Sequence, residues 1–484
     1  MKRYLNIIVP ALLLVCSCSS GVSVFGIRGN VETCPVPDTV SVLRNPCCGW
    51  GLYDDADGEV SDAAQYWEKQ DEASKYASFF YLRWRWSDME PEEGRYAWLY
   101  DDNYKALIQG ALDRGLRLAF RIYFNGKDNL HPGTPDYVRK AGAGGCVVGD
   151  HWTPYIDDPV FQEKLAAFIS AFALEYDNPA IVDFVDGVNA GWWGECHHLN
   201  LRNPDNRDEV LQWFTDTYGK AFGKVPLIMP VCSEFGFENE MRVAVGRNGY
   251  GFRRDGLGSR WFNPSEKANV RKLFPGTLLI GESCYWKGDL SDTPHFYDDM
   301  YKFKSWREVL EATYNDAVSF HFNTLDLRQP LEAQRWLEKA PDLVTAFIRN
   351  GGYRIAPKVI SAPSVMRNGR KITIAHRWEN TASGYFPNTN RRWNYKYRVA
   401  FALLDAEGNP CRVFVDRQSD PSEFLKGNKV DYFFNIEAEG IAPGTYIWAT
   451  SIIDVSGDNL PSIRLAAEGG QQGQWLRLNE VRIR

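Results

Sequence analysis

Several common protein classes are excluded by what the sequence lacks. No run of Lys and Arg occurs, and a formal net charge of −7 over 484 residues leaves nothing clustered to neutralise phosphates, which sets nucleic acid aside as a partner. There is no G-x-S-x-G elbow and no Ser, His and Asp set that stands out, so esterase chemistry has no support. Beyond the first residues no two cysteines form a C-x-x-C pair, which removes the usual structural zinc spacing. Cys34, Cys47, Cys48, Cys146, Cys196, Cys232, Cys284 and Cys411 are scattered and indicate no pairing, although export permits disulfides. Histidines number only 7, and the adjacent His197 and His198 point in different directions on an extended loop, so neither metal nor cofactor is expected. The apolar run Leu5–Val15 is too short to span a bilayer as a mature helix.

Aromatic residues, by contrast, are abundant. The chain carries 17 Trp, 24 Tyr and 27 Phe, and flat amphipathic rings suit proteins that hold sugars by stacking; a large core rich in rings is the alternative. The start reads as an export signal: Lys2 and Arg3, then the apolar run, then Val15-Cys16-Ser17-Cys18, which resembles a bacterial lipoprotein processing box. Cys18, preceded by a small residue, is the expected lipidated N-terminus. Cys16 competes with it, and a plain secretory signal is the other reading. Residues 1–18 are thus expected to be removed or lipidated, 19–40 to be a tether, and the protein to sit on the bacterial outer membrane, with a lipid anchor as its membrane contact.

A chain of this length exceeds a single core. Eight β-rich runs begin near Gly49, Ser78, Leu116, Ile181, Val225, Gly249, Leu278 and Ala317, with helix-like stretches such as Phe161 to Tyr176 between them. Eight βα repeats over about 300 residues predict a (β/α)₈ barrel across 41–352. The rival, an open doubly wound sheet, normally brings a glycine-rich phosphate loop, and Gly49-Trp50-Gly51-Leu52-Tyr53 is not one. From residue 353 to 484, short alternating segments (Lys371–His376, Tyr397–Leu404, Val430–Ile436, Gly444–Ile452) separated by turn residues predict an all-β sandwich, as a buttress or a sugar-binding module.

Barrel enzymes work at the C-terminal ends of their strands. Run four leads into Gly191-Trp192-Trp193-Gly194-Glu195 and run seven into Gly281-Glu282-Ser283. Glycosidic bonds are cleaved by two carboxyl groups flanking the bond, which these glutamates supply across one mouth. A structural ion pair is the alternative for each. Asn125, Glu234, Asp255, Asn323 and Asp326 are candidates for binding sugar hydroxyls, with loop capping as the alternative. Trp86, Trp152, Trp193, Tyr285 and Trp286 are candidate stacking platforms, with barrel packing as the alternative. His197 or His198 is a candidate for substrate contact, with loop capping as the alternative. Arg83, Arg85, Arg121 and Arg254 could hold Glu282 ionised, and Arg85 is also a candidate for touching substrate.

The segment from Tyr81 to Tyr96 (YLRWRWSDMEPEEGRY), with the helix after it and Gly115-Leu-Arg-Leu-Ala-Phe-Arg121, resembles the second and third βα units of the large glycosidase clan that includes β-galactosidases and cellulases. The resemblance spans roughly Asn45 to Asn350, and the whole chain also resembles secreted bacterial proteins that join such a barrel to a β-sandwich. It implies a retaining glycoside hydrolase acting on oligo- or polysaccharides, with Glu195 as acid/base and Glu282 as nucleophile. Where the clan has an Asn that holds the sugar 2-hydroxyl, just before the acid/base, this chain has Gly194. That departure motivates a second reading, an inactive glycan-binding lipoprotein; a transglycosylase using the same residues is a third. An acid at 195 requires a carboxyl that keeps its proton near neutral pH, expected from Trp192, Trp193 and the charge of Glu282.

Overall fold

The computed structural model describes residues 23–54, 60–125, 131–295, 303–471 and 473–484. Cys18, the signal and the first tether residues lie outside them. Eight parallel strands close into a barrel in sequence order: β1 Gly49–Tyr53, β2 Ala77–Arg85, β3 Arg117–Tyr123, β4 Val182–Asp186, β5 Leu227–Pro230, β6 Gly251–Leu257, β7 Leu279–Ser283 and β8 Thr324–Arg328, with β8 paired back onto β1. Closure removes the exposed edges that an open sheet would leave.

Seven of the eight strands begin within two residues of the expected runs; the eighth does not. Ala317 to Ser319 finish the helix Trp306–Ser319, and β8 starts at Thr324 after a turn in which His321 takes a φ of 62°. The apolar residues of that helix end imitate a strand in sequence. The helix over the expected Phe161 to Tyr176 runs Pro159–Tyr176, because Asp158 caps it by accepting from the backbone N–H of Val160 and Phe161 and Pro159 fills its first turn.

Alternation along each strand divides the barrel residues into two sets. Outward side chains such as Trp50, Leu52, Phe80, Leu82 and Phe120 pack against the helices. Inward ones change character with height: Phe79, Ala119, Phe184, Ile228 and Ile280 form an apolar plug at the N-terminal end, whereas the inward residues nearer the C-terminal end are mostly charged.

The sandwich follows as expected. One sheet contains β9 Ile355–Pro363, β10 Arg370–Asn380 and β13 Val430–Ala438; the other contains β11 Tyr397–Leu404, β12 Pro410–Asp416, β14 Gly444–Asp454 and β15 Leu476–Ile483. Its core residues Trp378, Phe401 and Trp448 belong to the same buried cluster as the barrel plug, so the sandwich closes the end of the barrel opposite the mouth. Within the expected tether, Asn30–Thr33 is a strand of this sandwich. It pairs antiparallel with β9, and the Asn30 side-chain amide donates to the carbonyls of Ser361 and Thr373. Paired backbone with a side chain hydrogen-bonded into the sheet is part of the fold, so a tether can extend only upstream of it.

Candidate active site

Glu282 is the penultimate residue of β7 and points into the barrel. Four guanidinium groups surround it: Arg328 Nη2 at 3.0 Å, Arg253 Nη1 at 3.1 Å, Arg83 Nη1 at 3.3 Å and Arg121 Nη2 at 3.5 Å. Burial works to raise its pKa, but Arg83, Arg253, Arg328 and Arg121 outweigh burial and lower it to about 2. A carboxylate so held is ionised throughout the neutral range.

Glu195 arrives by a different route. Strand β4 ends at Asp186, and residues 187–195 carry the chain up and back over the mouth. Gly191 and Gly194 take φ of 70°, and Trp193, Cys196 and His198 take 55°, 58° and 51°, a left-handed backbone that costs a non-glycine residue of order 1 kcal/mol or more. Backbone bonds from Trp192 to the His197 carbonyl (2.7 Å), Glu195 to Trp192 (2.9 Å) and Cys196 to Ala190 (2.8 Å) hold the loop in place. Glu195 Oε1 then lies 2.8 Å from Arg121 Nη1, 3.5 Å from Arg83 Nη2 and 3.7 Å from Arg253 Nη1. The surroundings of this carboxyl are therefore cationic rather than the apolar ones expected from Trp192 and Trp193.

This loop also explains Gly194. A Cβ there would lie 2.9 Å from Tyr123 Cβ and 3.3 Å from Arg121 Cδ, so position 194 leans on the floor of the mouth and has no room for an Asn side chain. The comparison with the clan's strand-end Asn fails because Glu195 is nine residues beyond the end of β4, not at it.

One atom ties the two glutamates together. Arg253 Nη1 is 3.1 Å from Glu282 Oε2 and 3.7 Å from Glu195 Oε1, which caps the separation of those oxygens at the sum of the two, about 6.8 Å.

Of the four arginines expected around Glu282, Arg83 and Arg121 are there. Arg254 is a correction: it turns outward to Glu266 and to Asp255, and its neighbour Arg253, of the opposite parity, faces the site. Arg85 Nε pairs with Asp88 at 2.6 Å. Periodicity alone does not single out Arg253, Arg328 or Asp186; the signal lies in inward parity, which Arg253 shares with Asp255 and Arg328 with Asp326. Below Glu195, Asp186 Oδ2 accepts from Tyr81 Oη and Arg121 Nε, both at 2.8 Å, with Arg253 Nε at 3.3 Å.

Asp255, inward on β6, does reach the mouth. Burial opposes its charge, and Arg254, Arg253, His197 and Arg121 together hold its carboxyl well below the usual range. Asp326, inside β8, accepts from Ser283 backbone N (2.6 Å) and Oγ (2.7 Å) and fixes the end of β7; burial raises its pKa, with Glu282 adding to the rise against Arg328. Trp193 and His197 lie on the Glu195 loop, their rings 6.4 Å apart. Asn125 anchors that loop by accepting from Trp193 N at 3.0 Å through its backbone carbonyl. Trp152 sits half-buried on a β-hairpin of the loop after β3, and Tyr285 is exposed beyond β7.

Four expected contacts are corrected. Trp86 is wholly buried among Tyr137, Phe161 and Phe168 and donates to Glu90, so its faces are covered by protein. Trp286 is likewise packed with Cys284, Trp306 and Val309. Asn323 precedes β8 at the far end of the barrel, where its side chain bonds Tyr385 N and O at 2.9 and 2.7 Å. Glu234 is a loop latch, accepting from the backbone N–H of His198 (2.6 Å) and Leu199 (3.2 Å). Among the described residues no group of three His, Cys, Asp or Glu is arranged to hold a metal ion; the His198 ring lies against Trp192, tilted by 30° with centroids 3.6 Å apart.

No protein-family profile and no curated protein sequence matches the chain. Solved structures similar to it include endo-glycoceramidase II from Rhodococcus sp., 14% identical over 82% of this chain and 100% of that one, with a TM-score of 0.41. Others are the catalytic domain of a β-amylase from Paenibacillus polymyxa (10% identity, 58% and 92% coverage, TM-score 0.39) and an exo-β-1,4-mannosidase from an Opitutaceae bacterium (13%, 64% and 57%, 0.41).

Proposed function

We propose that the protein is a retaining glycoside hydrolase in which Glu282 is the nucleophile and Glu195 the acid/base. The observation that carries this reading is the pair of carboxylates joined through Arg253 Nη1, with oxygens no more than about 6.8 Å apart. Retention calls for carboxyl groups about 5 to 5.5 Å apart and inversion for about 6.5 to 9.5 Å; the cap of about 6.8 Å brings the pair within working range of one glycosidic bond, and retention rests on the resemblance of the barrel segment to the glycosidase clan. In the first step Glu282 attacks the anomeric carbon while Glu195 gives its proton to the departing glycosidic oxygen. In the second, Glu195 takes a proton from water, whose oxygen displaces Glu282 and releases the sugar. Strong ion pairing suits Glu282 to its part, since an ionised carboxylate is the nucleophile. Asp255, Trp193, His197, Tyr285 and Trp152 are the proposed sugar contacts. Residue Cys18 is proposed to carry a lipid that holds the exported protein on the outer membrane.

A panel of aryl glycosides and polysaccharides, offered to the wild type and to Glu282→Gln, tests the assignment. The variant is expected to lose about 10³-fold or more in kcat while calorimetry still detects sugar binding. Unchanged hydrolysis by the variant removes Glu282 from the role. A second reading, glycan binding without turnover, is favoured by the three guanidinium groups that engage Glu195 in ion pairs; binding with no hydrolysis across the panel supports it.

A further inference from the structure

Three guanidinium groups, of Arg83, Arg121 and Arg253, face Glu195. The fold supplies a competitor for them directly beneath. Asp186, at the end of β4, is fully buried and cannot touch a sugar. Its Oδ2 is 2.8 Å from Arg121 Nε and 3.3 Å from Arg253 Nε, while the Nη ends of the same two side chains hold Glu195 and Glu282. Two guanidinium groups are thus divided between one carboxylate below and two above.

We propose that Asp186 is a positioning residue that shares Arg121 and Arg253 with the two glutamates, fixing both guanidinium planes and drawing enough of their charge from Glu195 for that carboxyl to exchange a proton. This rests on Glu195 being the acid/base. The ion pairs on Asp186 come from Arg121 on β3 and Arg253 on β6, and the Tyr81 hydroxyl on β2 donates to the same Oδ2, while the buried Oδ1 accepts no hydrogen bond among the described residues; the Cys196 thiol and the Tyr218 phenol also feel its charge. Facing Glu195 are Arg83, Arg121 and Arg253, and Asp255 and His197 belong to the same mouth. The Tyr81 hydroxyl accepts from Arg121 Nε and donates to Asp186, both at 2.8 Å, which locks the lower end of the fork. A buried carboxylate in this position is an expensive feature unless its partners are held for a task.

Asp186→Asn keeps an oxygen for Arg121 and Tyr81 and removes only the charge. In the full chain, the carboxyl C=O stretch of Glu195, assigned by its loss in Glu195→Gln, can be titrated by infrared difference spectroscopy with no substrate present. The midpoint is expected to fall by about one pH unit or more in Asp186→Asn, as for loss of a nearby unit charge in a partly buried site. Where hydrolysis is measured, the high-pH limb of kcat should fall by the same amount with KM nearly unchanged; a merely structural role lowers activity at every pH alike. A folded Asp186→Asn with an unmoved midpoint overturns the proposal. If that variant does not fold, Tyr81→Phe carries the test: without the hydroxyl, Arg121 Nε is left to Asp186, and the midpoint should rise. An unmoved or lower midpoint there overturns the proposal equally. Should the midpoint shift as expected while no glycoside is hydrolysed, the hydrolase reading fails and the charge sharing stands; hydrolysis with an unmoved midpoint gives the reverse.

Discussion

At the scale of single residues, charge placement decides what each glutamate can do. Glu282 has a folded pKa of about 2 against roughly 4.3 for an unfolded glutamate. A depressed carboxylate contributes stability that is fully present above the unfolded value and is lost as pH falls toward the folded one. Unfolding free energies of wild type and Glu282→Gln, measured by urea titration, should therefore converge by about 3 kcal/mol between pH 5 and pH 2; parallel curves contradict the four-arginine environment. Position 194 makes a second residue-scale prediction. Gly194→Ala forces a Cβ against Tyr123 and Arg121 in a left-handed backbone, so it should destabilise by about 1 to 3 kcal/mol and depress hydrolysis. Gly194→Asn, the residue the clan resemblance suggests, should do no better, and a more active Asn variant would restore the sequence-based alignment.

Elements set where those residues stand. Strand parity made much of the site legible in the sequence: Arg83, Arg121, Asp255 and Glu282 are inward positions on strands that begin within two residues of where hydrophobic alternation places them. Loops and helix ends were less legible. The nine residues after Asp186, as far as Glu195, read as a continuation of β4, because nothing in the sequence distinguishes a strand end from a loop held by positive φ angles and by hydrogen bonds to distant residues. Asn323 was misplaced for a related reason, since the end of the preceding helix has the apolar alternation of a strand. The loop after β4 depends on Glu234 of the loop after β5 for two backbone hydrogen bonds. Glu234→Ala should therefore lower kcat/KM about tenfold, as expected for loosening a charged hydrogen-bond latch near the chemistry, with little change in Tm because the carboxylate is exposed. Unchanged kinetics would show that the loop holds Glu195 without it.

On the scale of the whole molecule, the charged mouth is supported by an apolar plug that the sandwich completes. Phe79, Phe184 and Ile280 share one buried cluster with Trp378 and Trp448, and Asn323 joins the two parts through the Tyr385 backbone. Asn323→Ala leaves both backbone groups of Tyr385 unsatisfied in a buried junction and should cost about 2 to 3 kcal/mol of stability while leaving kcat/KM unchanged, as a residue at the far end of the barrel requires. A large kinetic effect with intact stability would return it to the site. Two parts were legible as a change of texture near residue 353, but their shared core was not, because the contacts that build it join residues hundreds of positions apart.

As the proposed nucleophile, Glu282 forms a covalent bond to the sugar. Glu195→Gln protein incubated with a panel of 2-deoxy-2-fluoro dinitrophenyl glycosides and then digested for peptide mass spectrometry tests it most directly. One added fluoroglycosyl group is expected, on the peptide containing Glu282 and on that residue. Stoichiometric labelling at any other residue, or hydrolysis of a good substrate with inverted anomeric configuration and no label at Glu282, contradicts it.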